Sequence, residues 1–168
     1  MRKYFILVLF TLINSLAYSQ ETLLETLPVQ NGIVTYSGVV NVDSLDKNAL
    51  YLKAKKWFVT TYKSAKDVIQ FEDKESGEIT GKGNFKISYF TRDPYISHNI
   101  SITVKDGRYK YVITQFSYSD NQNEKFAIEN FPKSWAGKKK LYVKIDEEAK
   151  YLISSLEKHM KTNVKDDW

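Results

Sequence analysis

The stretch NISITVKDGRYKYVITQF, residues 99–116, constrains the fold more than any other part of the chain. Two alternating apolar runs flank Asp106-Gly107, and a two-residue loop of that composition predicts a type I′ β-hairpin, with positive φ at both central residues. Such a loop also sets the register. Lys105 then faces Arg108, Val104 faces Tyr109, Ile102 faces Tyr111 and Ile100 faces Ile113. One side of the ribbon becomes an apolar stripe of Ile100, Ile102, Val104, Tyr109, Tyr111 and Ile113. The other carries Ser101, Thr103, Lys105, Arg108 and Lys110, with Val112 and Phe116 as exceptions. A sheet with one apolar face needs a cover.

Helical spacing supplies that cover twice. After the N-cap candidates Asp43 and Ser44, the residues Leu50, Ala54, Trp57, Phe58, Thr61 and Ala65 recur at helical period, with Lys53, Lys55, Lys56 and Lys63 on the other faces. Near the chain end, Ile145, Ala149, Leu152, Ile153, Leu156 and Met160 mark a second helix from near Asp146 to near Lys161. A β-branched run over residues 33–42 predicts the first strand. Ile69 and Phe71, then Ile79, Phe85, Ile87 and Tyr89, alternate on either side of the turn Lys74-Glu75-Ser76-Gly77 and predict two antiparallel strands. The order strand, helix, four strands, helix defines an α+β two-layer domain: an antiparallel sheet of about five strands with two helices on one face. Phe58, Phe71, Phe85, Tyr89, Tyr109 and Tyr111 are its expected core rings.

The amino-terminal segment MRKYFILVLFTLINSLAYSQ reads differently. Arg2 and Lys3 precede an apolar run from Phe5 to Ile13 and then Ala17-Tyr18-Ser19, the layout of a secretory signal peptide over residues 1–19. The run is too short to span a bilayer, which takes roughly 20 residues. Cleavage after Ser19 leaves 149 of the 168 residues as a single domain over 20–168, with no membrane span. No cysteine is present, which excludes disulfides, thiolate metal sites, a cysteine nucleophile and a lipid anchor on an N-terminal cysteine. Losing Arg2 and Lys3 with the leader takes the net charge from +5 to +3, too mild for a nucleic-acid footprint.

SGEITGKGNF, residues 76–85, sets Gly77, Gly81, Lys82 and Gly83 in an order that invites comparison with a phosphate-binding loop. Such a loop needs four residues between its first glycine and the Gly-Lys pair, then Ser or Thr, then a helix. Here three residues intervene, Gly83 replaces the hydroxyl and a strand follows, so a nucleotide site is excluded. Gly81 and Gly83 share a face with Ile79 and Phe85, so their bare backbone leaves room for a ring from the first helix, with Trp57 as the expected occupant.

Candidate chemistry is sparse. His98 and His159 are the two histidines, far apart in sequence, and are expected in solvated or capping roles. No serine sits in a G-x-S-x-G elbow, and pairs such as Glu72-Asp73 and Glu147-Glu148 are not aimed at one substrate by local spacing. No metal or cofactor motif is present. Residues 117–140 lose periodicity around Pro132 and Gly137 and are expected as a long loop. Its rings Tyr118, Phe126, Phe131 and Trp135, beside Lys133 and the run Lys138-Lys139-Lys140, suit a partner-binding loop; a loop folded back with its rings on the sheet is the competing account.

ALYLKAKKWF (residues 49–58), VIQFEDKESGEITGKGNF (residues 68–85) and DGRY (residues 106–109) together resemble a family of exported bacterial proteins, the domain of unknown function 4468 with a TBP-like fold. Leu50-Tyr51, Trp57, the Gly77-x-Ile79-x-Gly81-x-Gly83 spacing and Asp106-Gly107-Arg108 fall in the family's order, from Gly32 to Phe116 and on through the last helix. The resemblance implies a curved antiparallel sheet with two helices, and it implies neither an activity nor a catalytic residue. The resulting expectation is an exported, periplasmic or extracellular, non-catalytic domain, serving as a binding or envelope-associated structural module with a protein or glycan partner. The alternative is a small hydrolase-type enzyme whose site only tertiary contact assembles.

Overall fold

The computed structural model describes residues 25–62, 65–88, 93–120, 125–131, 135 and 137–162. The elements run β1 (Val29–Gln30), β2 (Ile33–Asn41), α1 (Lys47–Thr61), α2 (Ala65–Val68), β3 (Ile69–Asp73), β4 (Glu78–Lys86), β5 (Tyr95–Lys105), β6 (Arg108–Ser119), β7 (Lys125–Ala127), a 3-10 turn (Ile128–Asn130) and α3 (Lys138–Lys161). All strand pairs are antiparallel, in the spatial order β1-β2-β6-β5-β4-β3, and β7 pairs with the far end of β6. The two extra strands beyond the expected five are the short β1 and β7.

The expected hairpin register holds at every pair, from Lys105 opposite Arg108 to Ile100 opposite Ile113. Its turn does not take the expected type. Gly107 has φ +71°, but Asp106 is not among the positive-φ residues, which gives the φ pattern of a type II turn. Tertiary contacts account for this: the Lys47 N–H donates to the Asp106 carboxylate at 2.8 Å, and the Gly107 N–H donates to the Leu45 carbonyl at 2.9 Å. The type I′ signature lies instead at Asn31-Gly32, both with positive φ, joining β1 to β2.

Two bulges decide which side chains reach the core. Between Asn99 opposite Thr114 and Ser97 opposite Ser117, β5 has one residue and β6 has two, Gln115 and Phe116. Gln115 absorbs the extra length at φ +55°, so Phe116 and Tyr118 turn inward instead of outward. A second shift, between Ile69 and Phe71, acts the other way. Phe71, expected in the core, pairs with Thr80 on the open face and is 52% exposed.

Both long helices cover the same face. α1 begins after Asp46, whose carboxylate accepts the Ala49 N–H at 2.7 Å, so the cap lies beyond the expected Asp43 or Ser44. α3 begins at Lys138, eight residues before the expected start, and buries Leu141 and Tyr142 one turn ahead of Ile145. One bond ties the layers together, the Tyr36 hydroxyl donating to Asp146 at 2.9 Å, and another ties the two helices, the Trp57 indole N–H donating to Ser155 Oγ at 3.3 Å. Residues expected as a loop from 117 onward thus extend β6, form β7 and open α3. Phe58 covers Gly81 and Tyr62 covers Gly83. The expected occupant Trp57, though buried, points across to α3 instead. Tyr89 lies outside the described residues.

Candidate functional site

α1 and α3 meet side by side, and their shared flank is concave. Along α3, Tyr151, Ser154, Ser155, Lys158 and Thr162 recur at three- and four-residue spacing beside the buried stripe. From α1, Thr60 and Thr61 face them across a floor formed by Trp57. The resulting groove encloses about 730 Å³, and its wall is completed by His159. Its lining is mostly hydroxyl groups, two cationic or basic side chains and two aromatic rings. Among the described residues no carboxylate lines it.

Hydrogen bonding fixes what these groups can still offer. Ser155 Oγ accepts from the Trp57 indole, which leaves the serine proton for a ligand oxygen. Thr60 donates its hydroxyl to the Lys56 carbonyl at 3.1 Å or the Trp57 carbonyl at 3.2 Å, so its oxygen remains an acceptor. Lys53 donates to the Thr162 carbonyl at the end of α3. Burial lowers the His159 pKa below the ordinary histidine value, and the charges of Lys53 and Lys56 lower it further; a hydrogen bond to the Lys53 backbone partly offsets them. Burial and then Lys56 lower the Lys53 pKa as well.

Ser155 and His159 stand four residues apart on α3, the spacing that would bring a nucleophile to a base. The surroundings do not complete that arrangement. A catalytic imidazole is oriented by a carboxylate, whereas His159 is faced by Lys53 and Lys56. Among the described residues no group of three or more His, Cys, Asp or Glu gathers around a potential metal position.

His98 occupies the core rather than solvent or a cap, at 1% exposure on β5. The β6 bulge keeps its stretch in phase with the apolar face, where Phe85 and Phe116 flank the ring at 5.4 and 5.8 Å. Its Nε2 meets the Tyr62 hydroxyl at 3.0 Å. Burial pushes the His98 pKa down to about 4, only partly countered by the Ile96 backbone, so the ring is neutral at pH 7.

The aromatic segment folds back on the sheet. Tyr118 is 1% exposed and Phe131 is 3% exposed, while Phe126 and Trp135 are half-buried against the same core. The rings stack on one another, Phe131 on Trp135 at 4.2 Å and Tyr118 on Phe126 at 5.2 Å. The exposure that a partner-binding loop requires is therefore absent at Tyr118 and Phe131, because pairing of β7 with β6 carries the segment inward. Lys133 lies outside the described residues. A smaller concavity of about 380 Å³ sits on the open sheet face between Val39, Thr103 and the hairpin-end residues Lys105, Arg108 and Lys110.

Sequence reasoning missed the inter-helix groove because its walls lie almost a hundred residues apart. The local signal was the set of hydroxyl residues at helical spacing on each helix.

Residues 36–119 match the domain of unknown function (DUF4468) with TBP-like fold. Among solved structures, a DUF4468 family protein from Bacteroides ovatus is similar at 19% identity and a TM-score of 0.69, covering 83% of this chain and 93% of its own. A TBP-like protein from Parabacteroides distasonis is similar at 17% identity and a TM-score of 0.72, covering 80% of this chain and 97% of its own. At these identities the likeness concerns the fold alone. No curated protein matches.

Proposed function

This chain belongs to the DUF4468 family of domains with a TBP-like fold, and from that premise we propose that it is an exported, non-catalytic binding domain whose ligand seats in the groove between α1 and α3. The observation that carries this reading is the groove itself: about 730 Å³, walled by hydroxyls from two helices, with the exposed Tyr151 at its lip. Its potential base, His159, is hydrogen-bonded to the Lys53 backbone and faced by the cations Lys53 and Lys56 instead of by an orienting carboxylate. That favours recognition over turnover. The charged, apolar and small-residue layout of residues 1–19 supports export, and among the described residues no helix is long and apolar enough to cross a membrane.

Filling the groove tests the reading. Ser154→Trp should abolish retention of the protein on a polysaccharide fraction of the cell envelope while the melting temperature stays within about 3 °C, as expected for an exposed helical position. Unchanged retention by this variant would place the binding surface elsewhere.

A further inference from the structure

The groove's charges point to a class of ligand. On the same two helices, Lys55 pairs with Glu72 at 2.8 Å, Lys150 with Asp146 at 2.7 Å and Lys161 with Glu157 at 3.6 Å. Lys53, Lys56 and Lys158 have no carboxylate within ion-pairing distance among the described residues, although Lys53 and Lys56 face His159 and Lys158 lines the groove beside it. Lys53 spends its ammonium on the Thr162 carbonyl and contributes its field. Lys56 and Lys158 keep theirs available. Crowding like charges without a counter-ion raises the energy of the empty site, and a bound anion lowers it.

A bare anion would leave most of the lining unused. Ser155 offers a proton and Thr60 an acceptor oxygen, a mixed donor–acceptor wall that complements sugar hydroxyls. Tyr151, 73% exposed beside the groove, offers an apolar ring face with a polar tip. We propose that the ligand is an anionic saccharide, its charged group held by Lys56 and Lys158, its hydroxyls by Ser154, Ser155 and Thr60. The inference rests on the groove reading and adds the ligand's charge and carrier.

The purified chain would be titrated with glucuronate, glucose 6-sulfate, glucose 6-phosphate and uncharged glucose, with affinity read by calorimetry and location by amide chemical shifts. At least one charged sugar should bind on the order of tenfold more tightly than glucose, the worth of one charge-assisted hydrogen bond. It should move the amides of Ser154, Ser155 and His159, weaken with added salt, and fall to the glucose level in the Lys56→Ala/Lys158→Ala variant at unchanged melting temperature. The rank among the three charged sugars identifies carboxylate, sulfate or phosphate as the source of charge. Equal binding of glucose in the groove overturns the anionic inference and leaves the groove reading standing. Shifts confined to the Lys105–Lys110 hairpin end overturn both. No binding by any of the four sugars overturns the inference, and retention of the Ser154→Trp variant then decides the groove reading separately.

Discussion

A Cβ added at Gly81 would meet the Phe58 ring at 2.6 Å and the Val68 carbonyl oxygen at 3.1 Å, and at Gly83 it would run into the Tyr62 ring. These glycines let α1 lie close to β4, and any side chain there forces the helix to shift. Gly83→Ala is expected to lower stability by about 1–3 kcal/mol, the range for overpacking a tight core, read as a lower denaturant midpoint at unchanged slope. His98 gives a residue-level prediction with a pH window. Its folded pKa of about 4 lies below the ordinary 6.5 of the unfolded chain. The contribution is therefore fully present above 6.5 and is lost as pH falls through 4, because the unfolded chain takes up the proton first. The loss amounts to about 3 kcal/mol by linkage. His98→Leu should remove this part of the profile, so the two proteins' stability curves run parallel above pH 6.5 and the parent loses about 3 kcal/mol relative to the variant between pH 6.5 and 4.

At the scale of elements, the β6 bulge carries the most consequence, because one extra residue decides the facing of everything after it. Deleting Gln115 would turn Phe116 and Tyr118 outward and should abolish cooperative unfolding. Gln115→Gly keeps the bulge, relieves a positive φ and should raise stability by up to about 1 kcal/mol. The neighbouring β7 segment makes a second test: Phe131→Ala should cost about 3–5 kcal/mol, since its ring is buried among Tyr118, Phe126 and Trp135. Legibility from sequence follows the same division. The hairpin register was legible because a two-residue loop leaves no freedom, and α1 because its stripe is long. Neither bulge was legible, since a bulge exists only relative to a partner strand. The first two turns of α3 were hidden by Lys138-Lys139-Lys140, cations at the unfavourable end of a helix dipole, although Leu141 and Tyr142 continue its stripe backward.

For the whole molecule, the one-sided sheet and its two helical covers were legible, while the groove was not, because it depends on how α1 and α3 lie against each other rather than on either alone. The same architecture ranks the strands by protection. β5 and β6 each have partners on both sides and carry Ile100, Ile102, Val104, Tyr109 and Ile113 with almost no exposure. β3 forms one sheet edge, is broken by a bulge and presents Phe71 to solvent; the two-residue β1 forms the other. Amides of β5 and β6 should therefore exchange slowest with deuterium, near the rate of global unfolding, and those of β3 faster by several orders of magnitude. The contrast bears on assembly. An exposed edge with an apolar residue on its open face is a surface on which a second chain can add a strand. A protein that is monomeric at the concentration of the measurement should show a fast-exchanging β3 at every dilution. Protection of β3 that rises with protein concentration and disappears in Phe71→Lys would instead identify that edge as a self-association surface, on the sheet and away from the groove.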